Sequence, residues 1–199
     1  MKIRTRWIPL FLVLFALPLA AGEEPPAQQP MDEAAMMEAY VTAGMPGEAH
    51  EKLAAFVGTW DTTVRMWAAP GAPPSESTGV AENRLILGGR WLEQRFTSSF
   101  MGEEFEGLGY TGYDNAKKHY VGTWMDSMSS GIMLTTGEAA DAKTFTFSGT
   151  MDDPVMGKSM LIKEKIVIHG DDRHVMEMWG PGPDGKMFKN MEIEYVRKN

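Results

Sequence analysis

The chain has 199 residues, of which 43% are hydrophobic, and it carries a formal net charge of −8 with no cysteine. Its acidity disfavours nucleic acid as a partner, because phosphate binding needs concentrated Lys and Arg. The lack of cysteine excludes disulfides, thiol catalysis and thiolate metal sites. The length is sufficient for one domain with its own apolar core.

The first 22 residues predict a cleavable signal peptide. Three basic side chains precede a short apolar run over residues 8–19, and Ala20-Ala21-Gly22 supplies the small residues that a signal peptidase accepts. An uncleaved anchor is the alternative, but the run is shorter than the roughly 20 residues that span a bilayer. We therefore expect an exported protein, periplasmic or secreted, without stable membrane insertion. Cleavage would remove three positive charges and take the net charge from −8 to about −11.

A linker and a helical segment are predicted next. Residues 23–30 are polar and proline-rich, which is typical of a disordered linker. Residues 31–57 contain two apolar stripes with i, i+3, i+4 spacing, divided by Gly44-Met45-Pro46-Gly47. We expect each stripe to pack on the domain that follows. The stripes are Met37, Tyr40 and Val41, and then Leu53, Phe56 and Val57.

From residue 58 onward the pattern predicts an all-β domain, 58–199. Short β-rich runs alternate with turn residues such as Gly88-Gly89, and no helix lies between them. Such strands form an antiparallel meander, and closing the meander removes its exposed edges. We predict a single antiparallel up-and-down β-barrel of about ten strands, with a β-sandwich as the alternative. The predicted strands lie near residues 60–67, 79–87, 90–100, 104–113, 118–126, 129–137, 143–150, 158–169, 173–179 and 187–197.

Alternation along the strands predicts which side chains face the core. Ile162 and Ile166 alternate with Lys163 and Lys165. A later strand shows the same period, so one face of each strand should be buried. In that later strand Met187, Met191, Ile193 and Tyr195 are expected inside, and Asn190, Glu192 and Glu194 outside.

Several motifs that occur in order resemble an exported bacterial family catalogued as domain of unknown function 1579. They are His50-Glu51-Lys52-Leu53, Gly58-Thr59-Trp60-Asp61, Pro70 to Pro74, Leu87 to Leu92, Phe105 to Gly109, Gly112-Tyr113-Asp114 and Tyr120 to Met128. The resemblance covers about His50 to Lys198 and implies a calycin-like barrel, the group that includes lipocalins and fatty-acid-binding proteins. Gly58-x-Trp60 is also similar to the lipocalin Gly-x-Trp signature, in which the indole closes one barrel end.

No motif for nucleophilic or phosphate chemistry is evident. The chain lacks a Gly-x-Ser-x-Gly elbow. Residues 107–112 spell Gly-x-Gly-x-x-Gly, but they lie inside a predicted strand that no helix follows, whereas a dinucleotide site needs a strand–turn–helix. We interpret these glycines as relief for a sharply bent strand.

Composition and fold together favour a non-enzymatic binding protein. Seventeen dispersed methionines suit an adaptable apolar interior, so we predict a cavity for a small apolar or amphipathic molecule. No cofactor is assigned, and a monomer or weak homodimer is expected. The candidate ligand-binding residues are Trp60, which would close one end, and Arg95, Glu106, Tyr120, Trp124, Asp126, His174 and Met176.

Two alternatives belong to other functional classes. His174 shares its strand face with Met176 and Met178, and imidazole with thioether suits copper or an axial haem ligand. An enzyme acting on a small molecule inside the barrel would use Glu106 or Asp126 as acid or base.

Overall fold

Ten antiparallel strands follow a short helical segment in the computed structural model, which describes residues 32–100, 102–153 and 157–199. Each strand pairs with its neighbours in sequence, and β1 pairs with β10, which closes the barrel. The predicted up-and-down barrel is therefore confirmed. The strands are β1 Gly58–Met66, β2 Ser75–Ile86, β3 Trp91–Phe100, β4 Glu103–Asp114, β5 His119–Asp126, β6 Met133–Ala139, β7 Thr144–Asp153, β8 Lys158–Ile168, β9 Arg173–Pro181 and β10 Met187–Arg197.

Two clusters of buried side chains fill part of the interior. The first lies where the helical segment meets the barrel, and the second lies along β1, β2, β3 and β10. The first cluster is Leu53, Phe56, Leu92, Tyr120, Phe145 and Phe147, and the second is Trp60, Val64, Ala81, Phe96, Ile193 and Tyr195.

The helical segment comprises α1 (Glu33–Gly44), α2 (Glu48–Glu51) and a 3₁₀ helix (Lys52–Phe56). Leu53 and Phe56 are buried, and Val57 packs against their cluster, as the second stripe predicts. The first stripe behaves differently, because α1 has no buried residue. Only its end is held by the barrel: Asn115 Nδ2 donates to the Ala43 and Met45 carbonyls at 2.9 and 2.8 Å. Met37, Tyr40 and Val41 are exposed, contrary to the expectation that they pack.

A β-bulge in β10 changes two predicted face assignments. The register with β9 shifts between Lys189 and Met191, so the residues before the bulge change faces. Ile193 and Tyr195 are buried as predicted, whereas Met187 is exposed and Asn190 lines the interior. Strict alternation fails here because one extra residue enters the ladder.

The predicted signal peptide (1–22) and linker (23–30) lie outside the described residues. Within the described ranges, no helix has the length and apolar character needed to cross a membrane.

Candidate functional site

The 3₁₀ helix closes one end of the barrel through a small hydrogen-bond network. The Phe56 carbonyl accepts from Trp60 Nε1 and from Asn83 Nδ2, both at 2.9 Å. Arg197 Nη1 donates to the Val57 carbonyl at 2.8 Å, and its guanidinium lies 4.1 Å from the Trp60 ring centroid. Strands β1, β2 and β10 are thus tied to the segment that precedes them, which fixes Phe56 as a floor.

Above this floor lies a cavity of about 490 Å³. Phe56 lines its inner end, and Met66, Met128 and Met151 line it at the other end. These three methionines are exposed to solvent, so the cavity reaches the surface there. Of the methionines that the structure describes, seven contribute to the wall, and they are Met66, Met128, Met133, Met151, Met176, Met178 and Met191.

Trp124 forms part of the wall because β4 carries glycine where its ring lies. A Cβ at Gly107 would overlap the indole, and one at Gly109 would approach it to 3.2 Å. The indole Nε1 donates to Asp126 Oδ2 at 3.0 Å, and Asp126 Oδ1 accepts from the Met128 amide at 3.0 Å. The two glycines therefore make room for a ring, a more specific role than the predicted relief of strand bending.

His174 lies at the floor, enclosed by aromatic rings. It stacks on Tyr195 with ring centroids 4.2 Å apart, and it meets Trp60 and Phe56 edge-on at 4.4 and 5.2 Å. Burial, helped by the positive charge of Arg197, lowers the pKa of His174 to about 3. The imidazole is therefore neutral at physiological pH.

Glu164 is a carboxyl group inside the barrel that the sequence analysis missed. It lies on β8 between Ile162 and Ile166, which face inward, and it lines the cavity. Burial raises its pKa to about 7. The alternation along β8 could have identified it, because Lys163 and Lys165 point outward and Glu164, between them, must therefore point inward. Gln94, Asn83 and Tyr195 are further polar lining groups that were not predicted as site residues.

The structure brings together four of the eight predicted ligand-binding residues. Trp124, Asp126, His174 and Met176 line the cavity. Trp60 and Tyr120 are buried in the packing at the closed end, where the Tyr120 hydroxyl donates to the Ala49 carbonyl at 2.8 Å. These two residues support the floor without lining the cavity.

Arg95 and Glu106 lie on the outer face, and this corrects their expected place inside the barrel. On β3, Leu92, Gln94 and Phe96 line the cavity, so Arg95 points outward, where its Nε donates to Glu93 Oε1 at 3.1 Å. Glu106 is exposed, because its neighbours Phe105 and Gly107 occupy the inner face of β4.

The arrangement gives a metal little to bind. Among residues 32–100, 102–153 and 157–199, no three His, Cys, Asp or Glu side chains form a group that could hold a metal ion. Met176 and Met178 share the cavity with His174, but three aromatic rings surround its imidazole. The haem or copper hypothesis stays a prediction.

Comparison with known proteins gives a family and a fold. Residues 45–197 match the family described as "Protein of unknown function (DUF1579)". No curated protein matches the sequence. Two solved structures share the barrel at 13% identity: Rv2717c from M. tuberculosis, with a TM-score of 0.55 over 78% of this chain and 100% of that one, and the S-type phycobiliprotein lyase CPES from Guillardia theta, with 0.54 over 80% and 97%.

Proposed function

The chain belongs to the DUF1579 family of proteins of unknown function, and because that description assigns no activity, we propose from the barrel itself that the protein binds a small apolar or amphipathic molecule. The observation that carries this proposal is the apolar cavity of about 490 Å³ between the Phe56 floor and the methionine-lined opening. Protein interiors are normally close-packed, whereas small-molecule pockets occupy about 300 to 1,000 Å³.

The wall suits ligands of more than one shape. Methionine is unbranched and polarizable, so its side chain adapts to different apolar surfaces. Rigid aromatic side chains also line the cavity, among them Phe96, Phe105 and Trp124. The Phe96 ring meets those of Phe105 and Trp124 edge-to-face, with ring centroids 6.1 and 6.2 Å apart. The combination favours selection by size and hydrophobicity.

The proposal also includes export from the cytoplasm, because the first 22 residues predict a cleavable signal peptide. The protein would then meet its ligand in the periplasm or in the surrounding medium. Intact-mass measurement of protein purified from its host tests this, because cleavage after Gly22 would leave an N-terminus at Glu23.

Titration with the neutral fluorophore N-phenyl-1-naphthylamine tests the binding proposal. Fluorescence should rise saturably in the parent protein, since the dye would leave water for the apolar cavity. Met176→Trp should weaken binding by about tenfold or more, because the larger ring would fill space that the dye needs. Val175→Trp is the matched control: Val175 is the neighbouring residue on β9, and it is absent from the cavity lining.

Equal affinity in the two tryptophan variants would place the dye outside the barrel and contradict the proposal. Native mass spectrometry of protein from its own host gives a second test, in which a bound small molecule is expected. The haem or copper prediction is checked separately by titration with haem and with Cu(I), where an unchanged absorbance spectrum would remove it.

A further inference from the structure

Glu164 is a carboxyl group without a partner inside an apolar cavity. It has no hydrogen bond or ion pair with any residue that the structure describes. Across the β-ladders it lies opposite Phe147 on β7 and Met178 on β9, and both line the cavity. A buried carboxylate without a partner is costly, so a position of this kind calls for an explanation.

The charged side chains that line the cavity, among the residues that the structure describes, all have one sign. Of the described residues that line it, none is a lysine or arginine, and the only acids are Asp126 and Glu164. Asp126 already accepts two hydrogen bonds, from Trp124 and from the Met128 amide. Of the two acids, Glu164 is therefore the one whose carboxylate is free to accept from a ligand, while the neutral oxygens Asn83 Oδ1, Thr123 Oγ1 and Asn190 Oδ1 in the lining also have no partner.

We propose that the ligand carries an ammonium or similar cationic group that pairs with Glu164, while its apolar part occupies the methionine-lined end of the cavity. This inference rests on the proposed function and specifies the chemical class of the ligand. A lipophilic amine supplies the missing partner of the carboxylate, and its tail matches the apolar wall.

The same geometry disfavours a fatty acid or another anionic amphiphile. A carboxylate ligand would bring a second negative charge close to Glu164 with no basic side chain in the described lining to offset it. By contrast, aromatic side chains such as Phe147, Trp124 and Tyr195 line the cavity and offer ring faces that attract cations.

The opening of the barrel adds a longer-range effect. Glu103 and Glu104 begin β4 and are exposed, and Asp152 near the end of β7 is exposed as well. These strand ends lie on the side opposite the Phe56 floor. The exposed Lys158, which begins β8, lies at the same end and offsets part of this negative charge. The excess negative charge would raise the local concentration of cations at the entrance.

Three twelve-carbon compounds with different head groups test the proposal by displacing N-phenyl-1-naphthylamine at pH 8. Dodecylamine should bind at least about tenfold more tightly than dodecanol, since only the ammonium forms a charge-assisted pair with Glu164. Dodecanoate should bind most weakly. Glu164→Gln should bring the ratio of the dodecylamine and dodecanol affinities close to one. Glu177→Gln is the matched control and should keep the parent's ratio, because Glu177 is absent from the lining and accepts a hydrogen bond from Lys189 instead.

The preference for amine over alcohol should also depend on pH. Burial raises the pKa of Glu164 to about 7, so the preference should grow between pH 5.5 and 8 as the carboxyl ionises. The other titratable groups that line the cavity are Asp126, His174 and Tyr195, and Lys163 and Lys165 lie on the exposed face of β8. Loss of the pH dependence in Glu164→Gln would assign it to Glu164.

The outcomes separate this inference from the proposed function. If all three compounds displace the dye equally, or if dodecanoate binds best, the cationic ligand is wrong although the cavity binds. If neither the dye nor any of the compounds binds, the proposed function fails and the inference fails with it. Glu164→Met is a second variant for use if the glutamine variant does not fold, and it should likewise lose the preference for amine.

Discussion

Truncation of Phe56 to alanine should destabilise the barrel, because this ring is the floor of the cavity. Phe56 is 6% exposed and makes edge contacts with Phe145 at 5.3 Å and with His174 at 5.2 Å between ring centroids. Truncating a buried phenylalanine costs about 3 to 5 kcal/mol. One part of this ring faces the cavity and makes fewer van der Waals contacts there, so we expect a loss in unfolding free energy at the lower end of this range, about 3 kcal/mol.

Urea unfolding, followed by tryptophan fluorescence, measures this loss. With a denaturant slope of about 1 to 3 kcal/mol per molar, the midpoint should fall by about 1 to 3 M. Tyr40→Ala is the matched control, because Tyr40 is an aromatic residue of the same helical segment that is 72% exposed. Its midpoint should change by less than the equivalent of about 0.5 kcal/mol.

A charged substitution extends the test. Phe56→Asp should cost more than Phe56→Ala, since it would place a carboxylate among aromatic rings. A loss below about 1 kcal/mol for Phe56→Ala, or one equal to that of Tyr40→Ala, would refute the docked floor. The barrel would then be stable without the segment that precedes β1.

Three further predictions concern the interior. Gly107→Ala should displace the Trp124 indole and change the near-ultraviolet circular dichroism, whereas Gly44→Ala should not, because nothing lies within 4 Å of a Cβ there. The pKa of His174 is lowered by burial from 6.5 to about 3, so the stability that it contributes is complete above pH 6.5 and is lost as the pH falls towards 3. In His174→Gln, the unfolding free energy measured with urea should therefore fall less steeply between pH 6.5 and pH 3 than in the parent. Glu164, with its pKa raised by burial from 4.5 to about 7, contributes stability that is present below pH 4.5 and is lost as the pH rises through 7. The difference in unfolding free energy between Glu164→Gln and the parent should thus be about 2 to 3 kcal/mol more favourable to the variant at pH 8 than at pH 4.5. The same difference at both pH values would contradict this.

The architecture was predictable because its signals are local. Each strand is bounded by turn residues, and uninterrupted strands have few ways to avoid exposed edges other than closure. The match over residues 45–197 confirms the family that the motifs from His50 to Met128 indicated. The packing of Leu53 and Phe56 was predictable for a related reason, since a large apolar stripe directly before a barrel strand favours burial.

The site was less predictable because it depends on which face each residue occupies. On β3 both faces carry apolar residues: Leu92 and Phe96 face inward, while the Trp91 ring lies over Gly112, so the pattern alone does not place Arg95. In β10 a single bulge sends Met187 outward. Glu164 differs from these, because alternation along β8 indicates its inward position directly.

The depth of the cavity could not be predicted from sequence. Trp60, Tyr120 and Trp124 are all aromatic strand residues, and Tyr120 shares its strand face with Trp124. Trp60 and Tyr120 are nevertheless buried at the closed end and do not line the cavity. What separates them is position along the barrel axis. That position depends on how far the helical segment enters the closed end, which no local pattern encodes.

The pairing of β1 with β10 has a consequence for how the chain reaches its native state. Trp60 lies opposite Arg197, so the closing ladder joins segments at almost the greatest sequence separation that the domain allows. Forming such a contact requires closure of a very long loop, whose entropic cost grows with length, whereas the other nine ladders join strands that are consecutive in sequence. Until β10 has paired, β1 and β9 each present an open edge to other chains. The interval between synthesis of β1 and arrival of β10 is therefore the period in which this protein is most exposed to aggregation, and chaperones that mask strand edges would act on it then.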